Sequence, residues 1–246
     1  MEKPILQKIK RKIQKHKVIS FDIFDTLLLR PYIKPTDLFL HMEKAFNKDD
    51  FQIERRRAEG KVFNDNKNLR EDITFDMIYE EIDNKFKDVK QKEMDWEEMV
   101  LRANPELKQV YDYAKKLKKR IVIASDMYMP TDFLAKVLHK NGFDSWEKLY
   151  VSGDLGKKKR SGAIYKQMID ELQISPKDIL HIGDNPVSDY EVIKKLGGNA
   201  ILYTNVITQY INDIPSARLY YENTDHSLTK SIIIGMNAYD YWYECI

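Results

Sequence analysis

The sequence is poor in the features that mark extracellular, membrane and nucleic-acid-binding proteins. It has one cysteine, Cys245, so no disulfide can form within the chain, which predicts a reducing, intracellular environment. Its 41 Lys and Arg residues nearly balance 39 Asp and Glu residues, and the net charge of +2 predicts no binding to nucleic acid or to an anionic membrane. No apolar run approaches the roughly 18 residues of a membrane span, and the charged N-terminus lacks the apolar segment of a signal peptide. We therefore expect a soluble, cytoplasmic protein.

What the chain does contain is an alternation of short apolar runs and amphipathic segments. Short apolar runs predict buried strands, and segments with an apolar residue every three or four positions predict helices. The predicted strands are residues 18–21, 121–124, 149–151, 179–182 and 200–203. Strands that alternate with helices indicate a parallel, doubly wound sheet of the α/β class. Ligands of such sheets bind beyond the carboxyl ends of the strands, so the residues that end the strands are the candidates for chemistry.

One stretch, residues 35–104, breaks this alternation. It is strongly charged, has helical periodicity and gives little strand signal. We therefore predict an inserted α-helical cap over residues 35–104 and a core made of residues 1–34 and 105–205. Residues 206–246 contain many tyrosines and are predicted to form a C-terminal helical extension, which either packs on the core or contacts another chain.

Two aspartates lie at the ends of predicted strands. Asp22 directly follows the first strand, and Asp184 follows the fourth strand after one glycine. Burying a carboxylate costs several kcal/mol unless it is paired with a cation or bound to a metal, so the two strand ends together predict a shared cation. Carboxylate oxygens suit Mg²⁺, which binds one or two protein carboxylates beside a phosphate group. Asp189, five residues after Asp184, is expected nearby. These acids are accordingly our predicted Mg²⁺ ligands.

The order of these residues, and the motifs around them, resemble the signatures of the haloacid dehalogenase-like (HAD) superfamily. The nucleophilic aspartate of that superfamily and the threonine four residues later correspond to Asp22 and Thr26. The hydroxyl residue of the second motif corresponds to Ser125, and the acids of the fourth motif correspond to Asp184 and Asp189. The resemblance extends over most of the predicted core, and it implies a Rossmann-like sheet with a helical cap inserted after the first motif.

The resemblance also implies roles for individual residues. The lysine of the third motif is best matched by Lys159, with Lys157 and Lys158 as alternatives. Asp22 would attack phosphorus and form an aspartyl-phosphate, and Ser125 and Lys159 would be the other catalytic residues. The implied Mg²⁺ ligands are Asp22, Asp184, Asp189 and the backbone carbonyl of Phe24. The residues implied to contact the substrate or its phosphate are Thr26, Ser125, Asp126, Lys159 and Arg160.

Within the superfamily, the motifs look most like those of a poorly characterised bacterial group that accompanies glycosyltransferases in surface-polysaccharide synthesis. This likeness implies a Mg²⁺-dependent hydrolase that acts on a small phosphorylated metabolite, with sugar and polyol phosphates as candidates. If the C-terminal extension contacts another chain rather than packing on the core, the predicted partner is a glycosyltransferase or a second copy of this chain.

One position departs from the pattern of HAD phosphatases. Those enzymes have an aspartate two residues after the nucleophile, which protonates the leaving alcohol, whereas this chain has Phe24. Loss of such an acid typically removes about 10²–10⁴-fold of rate, so leaving groups that need no proton fit best. Asp25 or Asp126 could supply the proton instead. Two alternatives stay open: a catalytically weak module that binds a phosphorylated ligand or a glycosyltransferase, and a metal-independent dehalogenase.

Two further features invite more than one interpretation. The run Arg55-Arg56-Arg57, on a predicted cap helix, could direct one guanidinium toward an anionic substrate, although exposed arginines are common. His181 lies inside the strand that precedes Asp184. We predict that it is a packed core residue.

Overall fold

The computed structural model describes residues 3–244, with side chains described as far as residue 240. Cys245, on which the expectation of a reducing environment rests, lies outside the described residues. The strands in the described part of the chain are Val18–Phe21 (β1), Leu28–Leu29 (β2), Arg102–Ala103 (β3), Arg120–Ser125 (β4), Lys148–Val151 (β5), Ile179–Gly183 (β6) and Asn199–Leu202 (β7).

Five of these strands form one sheet in the order β5-β4-β1-β6-β7, and every neighbouring pair is parallel. Phe21 at the end of β1 lies opposite Ile123 in β4 and Ile182 in β6, so the chain leaves all three strands at the same edge of the sheet. The five predicted strands are present, with ends shifted by at most one residue. The predicted α/β class with a doubly wound parallel sheet is confirmed.

Helices cover both faces of this sheet and fill the insert. The α-helices of the described residues are Pro4–Lys15 (α1), Asp37–Phe46 (α2), Phe51–Asn66 (α3), Phe75–Glu81 (α4), Lys90–Val100 (α5), Pro105–Lys116 (α6), Thr131–Lys140 (α7), Ser152–Leu155 (α8), Ala163–Leu172 (α9), Val192–Lys195 (α10), Val206–Asp213 (α11), Pro215–Asn223 (α12) and Leu228–Glu244 (α13). Directly before α10 the chain forms a π-helical turn over Pro186–Glu191. Asn185 caps the start of this turn, because its side-chain oxygen accepts from the N–H groups of Val187 and Ser188.

The alternation of side chains along the strands divides the core into two hydrophobic clusters. Ile19 and Phe21 of β1 belong to the larger cluster, which also takes in α1, α6 and α7 and continues into the insert. Val18 belongs to the smaller cluster, under α9 and α10. Because both faces of every central strand are covered, those strands are apolar throughout, which is why they stand out in the sequence.

The insert predicted as a cap contains the four helices α2–α5. Its two ends are joined by antiparallel pairing of β2 with β3. This pairing is not foreseen in the sequence, because two-residue strands carry no periodicity. The domain boundaries at residues 34, 104 and 205 stay a prediction.

The C-terminal extension consists of α11, α12 and α13, and α13 packs on the linker between the core and the insert. Ser231 Oγ accepts from the N–H of Ile33 (2.8 Å) and donates to Asp37 (2.6 Å). A Cβ on Gly235 would lie 2.3 Å from the carbonyl carbon of Pro31, so only glycine permits this approach. Among the described residues, no helix combines the length and apolarity that crossing a bilayer requires. The predicted contact with a glycosyltransferase or a second copy stays a prediction.

Candidate active site

The carboxyl ends of β1, β4 and β6 place three predicted site residues side by side. Asp22 directly follows β1, Ser125 ends β4 and Asp184 directly follows β6. All three line a cavity of about 390 Å³. The opposite side of this cavity, which we call the cap-side wall, comprises Pro35, Thr36, Phe39, Glu59 and Glu97 from the linker and the insert. The cavity thus lies between the sheet and the insert, at the sheet edge where ligands are expected.

We call the side of the cavity opposite the cap-side wall its floor, which comprises Asp22, Phe24, Asp25, Ser125, Lys159, Asp184 and Asp189. The turn that follows β1 shapes this floor. Asp25 has a left-handed backbone conformation with a φ of 56°, which aspartate tolerates better than most residues. Its N–H donates to the carbonyl of Leu28 (2.8 Å), and the N–H of Leu28 donates to the carbonyl of Ile23 (2.7 Å). This closed turn leaves Asp22, Phe24 and Asp25 all lining the cavity.

Lys159 is the cation of the floor. Its side chain is 3% exposed, and Nζ donates to Asp22 Oδ1 and, at 2.7 Å, to Asp189 Oδ1. The alternative lysines, Lys157 and Lys158, direct their ammonium groups to other side chains. Of the three lysines in the motif, Lys159 is therefore the one that contacts the predicted nucleophile.

Three carboxylates face one another beside this lysine. Oxygen atoms of Asp22, Asp184 and Asp189 lie within 4.8 Å of one another. Asp189 also accepts from Lys159, from His181 (3.2 Å) and from a backbone N–H (3.0 Å), so most of its lone pairs are already used. An all-oxygen set of this kind fits Mg²⁺. Asp22 and Asp184 have more lone pairs left for a metal ion, whereas Asp189 is better placed to orient Lys159.

The floor carries more negative than positive charge, and the pKa values of its residues reflect this. Burial raises the pKa of Asp22 in spite of the nearby Lys159. Burial, together with the carboxylates of Asp25 and Asp189, raises the pKa of Asp184 to about 7. Burial acts to lower the pKa of Lys159, but Asp189 and Asp22 outweigh it and raise that pKa well above its ordinary value. The site is therefore suited to accept one further cation.

His181 is a residue of the site that sequence reasoning assigned only to the core. It is buried, as predicted, but its Nδ1 lies 2.8 Å from Ser20 Oγ and its Nε2 lies 3.2 Å from Asp189 Oδ1. Burial lowers the pKa of His181, so the ring is neutral near pH 7. A signal existed, because Ser20 and His181 are two polar residues at paired positions of adjacent buried strands.

The ring of Phe24 packs against Arg30, which belongs to a buried ion pair that the sequence does not reveal. The guanidinium carbon of Arg30 lies 4.0 Å from the centre of the Phe24 ring. Arg30 also donates two hydrogen bonds, of 3.1 and 3.0 Å, to Glu97 in α5. The side chains of Arg30 and Glu97 are only 8% and 4% exposed. Where a HAD phosphatase has an acid, this chain therefore has an aromatic ring beneath a buried link between core and insert.

Both candidate replacements for the missing acid line the cavity. Burial raises the pKa of Asp25, with Arg30 opposing the shift, and burial also raises the pKa of Asp126. Asp126 Oδ1 accepts from the backbone N–H of Lys159 (2.7 Å), which leaves its other oxygen free to act. A raised pKa makes each carboxyl a better proton donor near neutral pH.

Two predicted phosphate ligands lie outside the cavity lining. Thr26 is fully buried beneath the floor, and its Oγ1 has no hydrogen-bond partner among the described residues. Arg160 is exposed on the surface. The structure thus brings together the predicted residues Asp22, Phe24, Ser125, Asp126, Lys159, Asp184 and Asp189, and it does not bring Thr26 or Arg160 to them.

A comparison with protein families agrees with this arrangement. The model of the haloacid dehalogenase-like hydrolases matches residues 16–197, which is most of the chain. The chain belongs to the haloacid dehalogenase-like hydrolase family. No curated protein matches it closely enough in sequence to narrow the activity further.

Solved structures with the same fold include enzymes of two kinds. A HAD phosphatase from Thermococcus onnurineus is 16% identical, with a TM-score of 0.53, over 76% of this chain and 86% of the other. An L-2-haloacid dehalogenase is 15% identical, with a TM-score of 0.54, over 77% and 85% of the two chains. A dehalogenase captured with an intermediate is 16% identical, with a TM-score of 0.54, over 76% and 84%. The shared fold leaves open whether the reaction is at phosphorus or at carbon.

Proposed function

We propose that this protein is a Mg²⁺-dependent phosphoryl-transfer hydrolase that forms an aspartyl-phosphate on Asp22 and acts on a small phosphorylated metabolite. The observation that carries the proposal is the composition of the floor. Three carboxylates, Asp22, Asp184 and Asp189, lie within 4.8 Å of one another, and Lys159 is the cation bonded to two of them. Such a site is short of positive charge, which a divalent cation would supply.

The residues of the floor divide the chemical work. Lys159 holds Asp22 through Oδ1 and opposes the rise in the pKa of Asp22 that burial causes, which favours the charged carboxylate that would attack phosphorus. Ser125 is buried and lines the same cavity, and in this proposal its hydroxyl donates to a phosphoryl oxygen. Asp189, held by His181, orients Lys159. When bound by Asp22, Asp184 and the carbonyl of Phe24, Mg²⁺ would offset the charge of the phosphoryl group.

The cavity also indicates which leaving groups are suitable. Phe24 cannot donate a proton, so a simple alkyl phosphate would depend on Asp25 or Asp126 for protonation of its oxygen. Acyl phosphates and anomeric sugar phosphates have better leaving groups and need less assistance. We therefore place sugar 1-phosphates and acyl phosphates ahead of alkyl esters.

Halide displacement is the competing function, because dehalogenases share this fold. A dehalogenase of this kind needs no metal, yet here Asp184 faces Asp22 and has a pKa of about 7 because of burial and neighbouring carboxylates. Without a metal ion, the carboxylate of Asp184 would repel the charge of Asp22 and weaken halide displacement. The presence of Asp184 therefore favours phosphoryl transfer. The other alternative is a non-catalytic binding module, and the observation that favours it is Phe24 in place of the usual general acid.

The test is a panel of alkyl phosphates, acyl phosphates, sugar 1-phosphates and 2-haloacids, each assayed with MgCl₂ and with EDTA. We expect phosphate release that needs Mg²⁺ and that Asp22→Asn abolishes. Asp112→Asn, an exposed aspartate paired with Lys108, is the matched control and should retain activity. Halide release that survives EDTA would replace the proposal with a dehalogenase, and no turnover on any member would favour the binding module.

A further inference from the structure

Three consecutive arginines of α3 have three different environments. Arg55 is fully buried and bonded to Glu93 through two of its nitrogens. Arg57 lies on the surface and pairs with Glu54 and Glu81. Arg56 is exposed and has no hydrogen bond, ion pair or ring contact within the part of the chain that the structure describes. Its guanidinium therefore remains available for an anion.

Arg56 lines a second cavity, of about 500 Å³, which we call the outer cavity. The outer cavity adjoins the catalytic one, because Thr36, Glu59 and Tyr128 line both. Gly60 lines it next to Arg56, and a Cβ on Gly60 would meet nothing within 4 Å, so this part of the wall is open. A ligand anchored at Asp22 could extend past the three shared residues into the outer cavity.

The second cation of the outer cavity is Lys158, whose Nζ lies 4.8 Å from the centre of the Phe63 ring and 3.2 Å from Asp72 Oδ1. Contact with the ring holds the lysine head against the cavity wall. Lys158 is next to Lys159 in the chain, so the third-motif loop supplies one cation to each cavity.

The acids of the outer cavity are already engaged by other groups. Glu59 accepts a hydrogen bond of 2.9 Å from Nη1 of Arg55, a residue that does not itself line the outer cavity. Asp72 accepts from Ser152 Oγ and from the N–H of Ile73 (3.0 Å) in addition to its pairing with Lys158. The lining of the outer cavity carries two cations and two carboxylates. Both carboxylates are engaged, so Arg56 is the lining cation without a partner among the described residues. In the catalytic cavity, by contrast, the lining carboxylates outnumber Arg30 and Lys159.

We propose that the outer cavity binds a second anionic group, a phosphate or a carboxylate, carried on the leaving group of the substrate. This inference rests on the proposed function and narrows its substrate class to bis-anionic phosphorylated metabolites. The part of the substrate between the two anions passes Thr36, Glu59 and Tyr128, whose hydroxyl and carboxylate groups suit a neutral, hydroxylated spacer. Arg56 is the principal ligand of the second anion because it has no partner among the residues that the structure describes, and Lys158 assists.

The test compares ligands that differ only in the second anion. The first pair is α-D-glucose 1,6-bisphosphate and α-D-glucose 1-phosphate, and the shorter pair is 3-phosphoglycerate and glycerol 3-phosphate. Binding is measured by calorimetry with MgCl₂ on the Asp22→Asn protein, so that turnover does not interfere. A charge-assisted contact from arginine to an anion predicts about tenfold tighter binding of the bis-anionic member in at least one pair.

Matched variants separate the cavity from general charge effects. Arg56→Gln should bring the ratio of the two affinities close to one, and Lys158→Gln should reduce it. Arg57→Gln and Lys157→Gln, which remove the neighbouring charges, should preserve it. Equal affinities within both pairs, or a preference that survives Arg56→Gln, would overturn the inference. An Arg56-dependent preference in a protein that hydrolyses none of the esters would support the second anion site while contradicting the proposed function.

Discussion

The floor of the catalytic cavity and its cap-side wall hold their charged groups in different ways. On the floor, the carboxylates of Asp22, Asp184 and Asp189 lie close together, and the ammonium of Lys159 is bonded to two of them, Asp22 and Asp189. Across the cavity, acids of the cap-side wall have guanidinium partners of their own, as when Glu97 binds Arg30 through two hydrogen bonds. Charge is therefore unbalanced on the floor and paired on the wall.

This difference separates chemistry from architecture. An unbalanced buried cluster is costly unless something else binds to it, which is the condition for holding a metal ion and a phosphoryl group. A buried pair with complete hydrogen bonding instead fixes the relative position of two elements. The Arg30–Glu97 pair connects the segment after β2 to α5, so it fixes the insert over the site. Substitutions on the two sides should accordingly affect different measurements.

The largest effect is expected from Lys159→Met. Losing the ammonium leaves three carboxylates without a protein cation and removes a group that stabilises the phosphoryl charge, so kcat should fall by about 10²–10³-fold. Lys157→Met is the control, because its side chain contacts Gln167 at the surface, and its kcat should be unchanged. Comparable losses in both variants would contradict the assignment of Lys159.

Glu97→Gln should chiefly reduce stability. It leaves the buried Arg30 without its counter-charge, which should lower the free energy of unfolding by about 3 kcal/mol in urea denaturation. Glu98→Gln is the matched control, because its pairs with Lys136 and Lys140 lie near the surface and should contribute less than about 1 kcal/mol. If both variants lost the same stability, the buried pair would not be what holds the insert.

Phe24→Asp tests the missing acid directly. A carboxyl group at this position should raise kcat for an alkyl phosphate by about tenfold relative to an acyl phosphate. The gain is kept below the full effect of a general acid because Arg30, 4.0 Å from the present ring, would pair with the new carboxylate and favour its ionised form. Phe24→Leu is the control for lost packing and should give no such change in substrate preference.

The smallest expected effect is a pH-dependent response to Mg²⁺. The pKa of Asp184 is raised from 3.8 to about 7 in the absence of metal, so proton binding stabilises the folded state at low pH and this stabilisation is lost as the pH rises through about 7. Mg²⁺ competes with that proton. The increase in Tm on adding MgCl₂ should therefore be a few degrees larger at about pH 8.5 than at about pH 5.5. In Asp184→Asn the pH dependence of this increase should become smaller, because the carboxyl with the pKa of about 7 is removed while Asp22, whose pKa is also raised, remains.

Much of the floor could be predicted because its residues occupy strand ends. Asp22, Ser125 and Asp184 follow short apolar runs, and parallel strands bring those ends to one edge of the sheet. The resemblance favours Lys159 but leaves Lys157 and Lys158 as alternatives, because all three stand in one loop and only the folded loop shows which ammonium faces Asp22.

The cap-side wall could not be predicted residue by residue. Its members come from separate helices whose periodicity identifies a buried face but not the partner of that face. Arg30 and Glu97 are 67 positions apart, and no local pattern links them. The contact between His181 and Asp189 is likewise not predictable from a local pattern, because Asp189 reaches the ring from the π-helical turn Pro186–Glu191.

The sequence by itself determined the parallel sheet, the helical insert and the strand-end position of Asp22, because short-range periodicity and strand ends are properties of neighbouring residues. The nucleophilic role of Asp22 is implied by the resemblance to the family and stays a prediction. Tertiary structure decided which charges meet. It gave Lys159 to Asp22 and Asp189, buried Arg55, and left Arg56 facing the outer cavity. Three adjacent arginines are equivalent in a sequence, and they become different only when the packing of α3 assigns each one a separate direction.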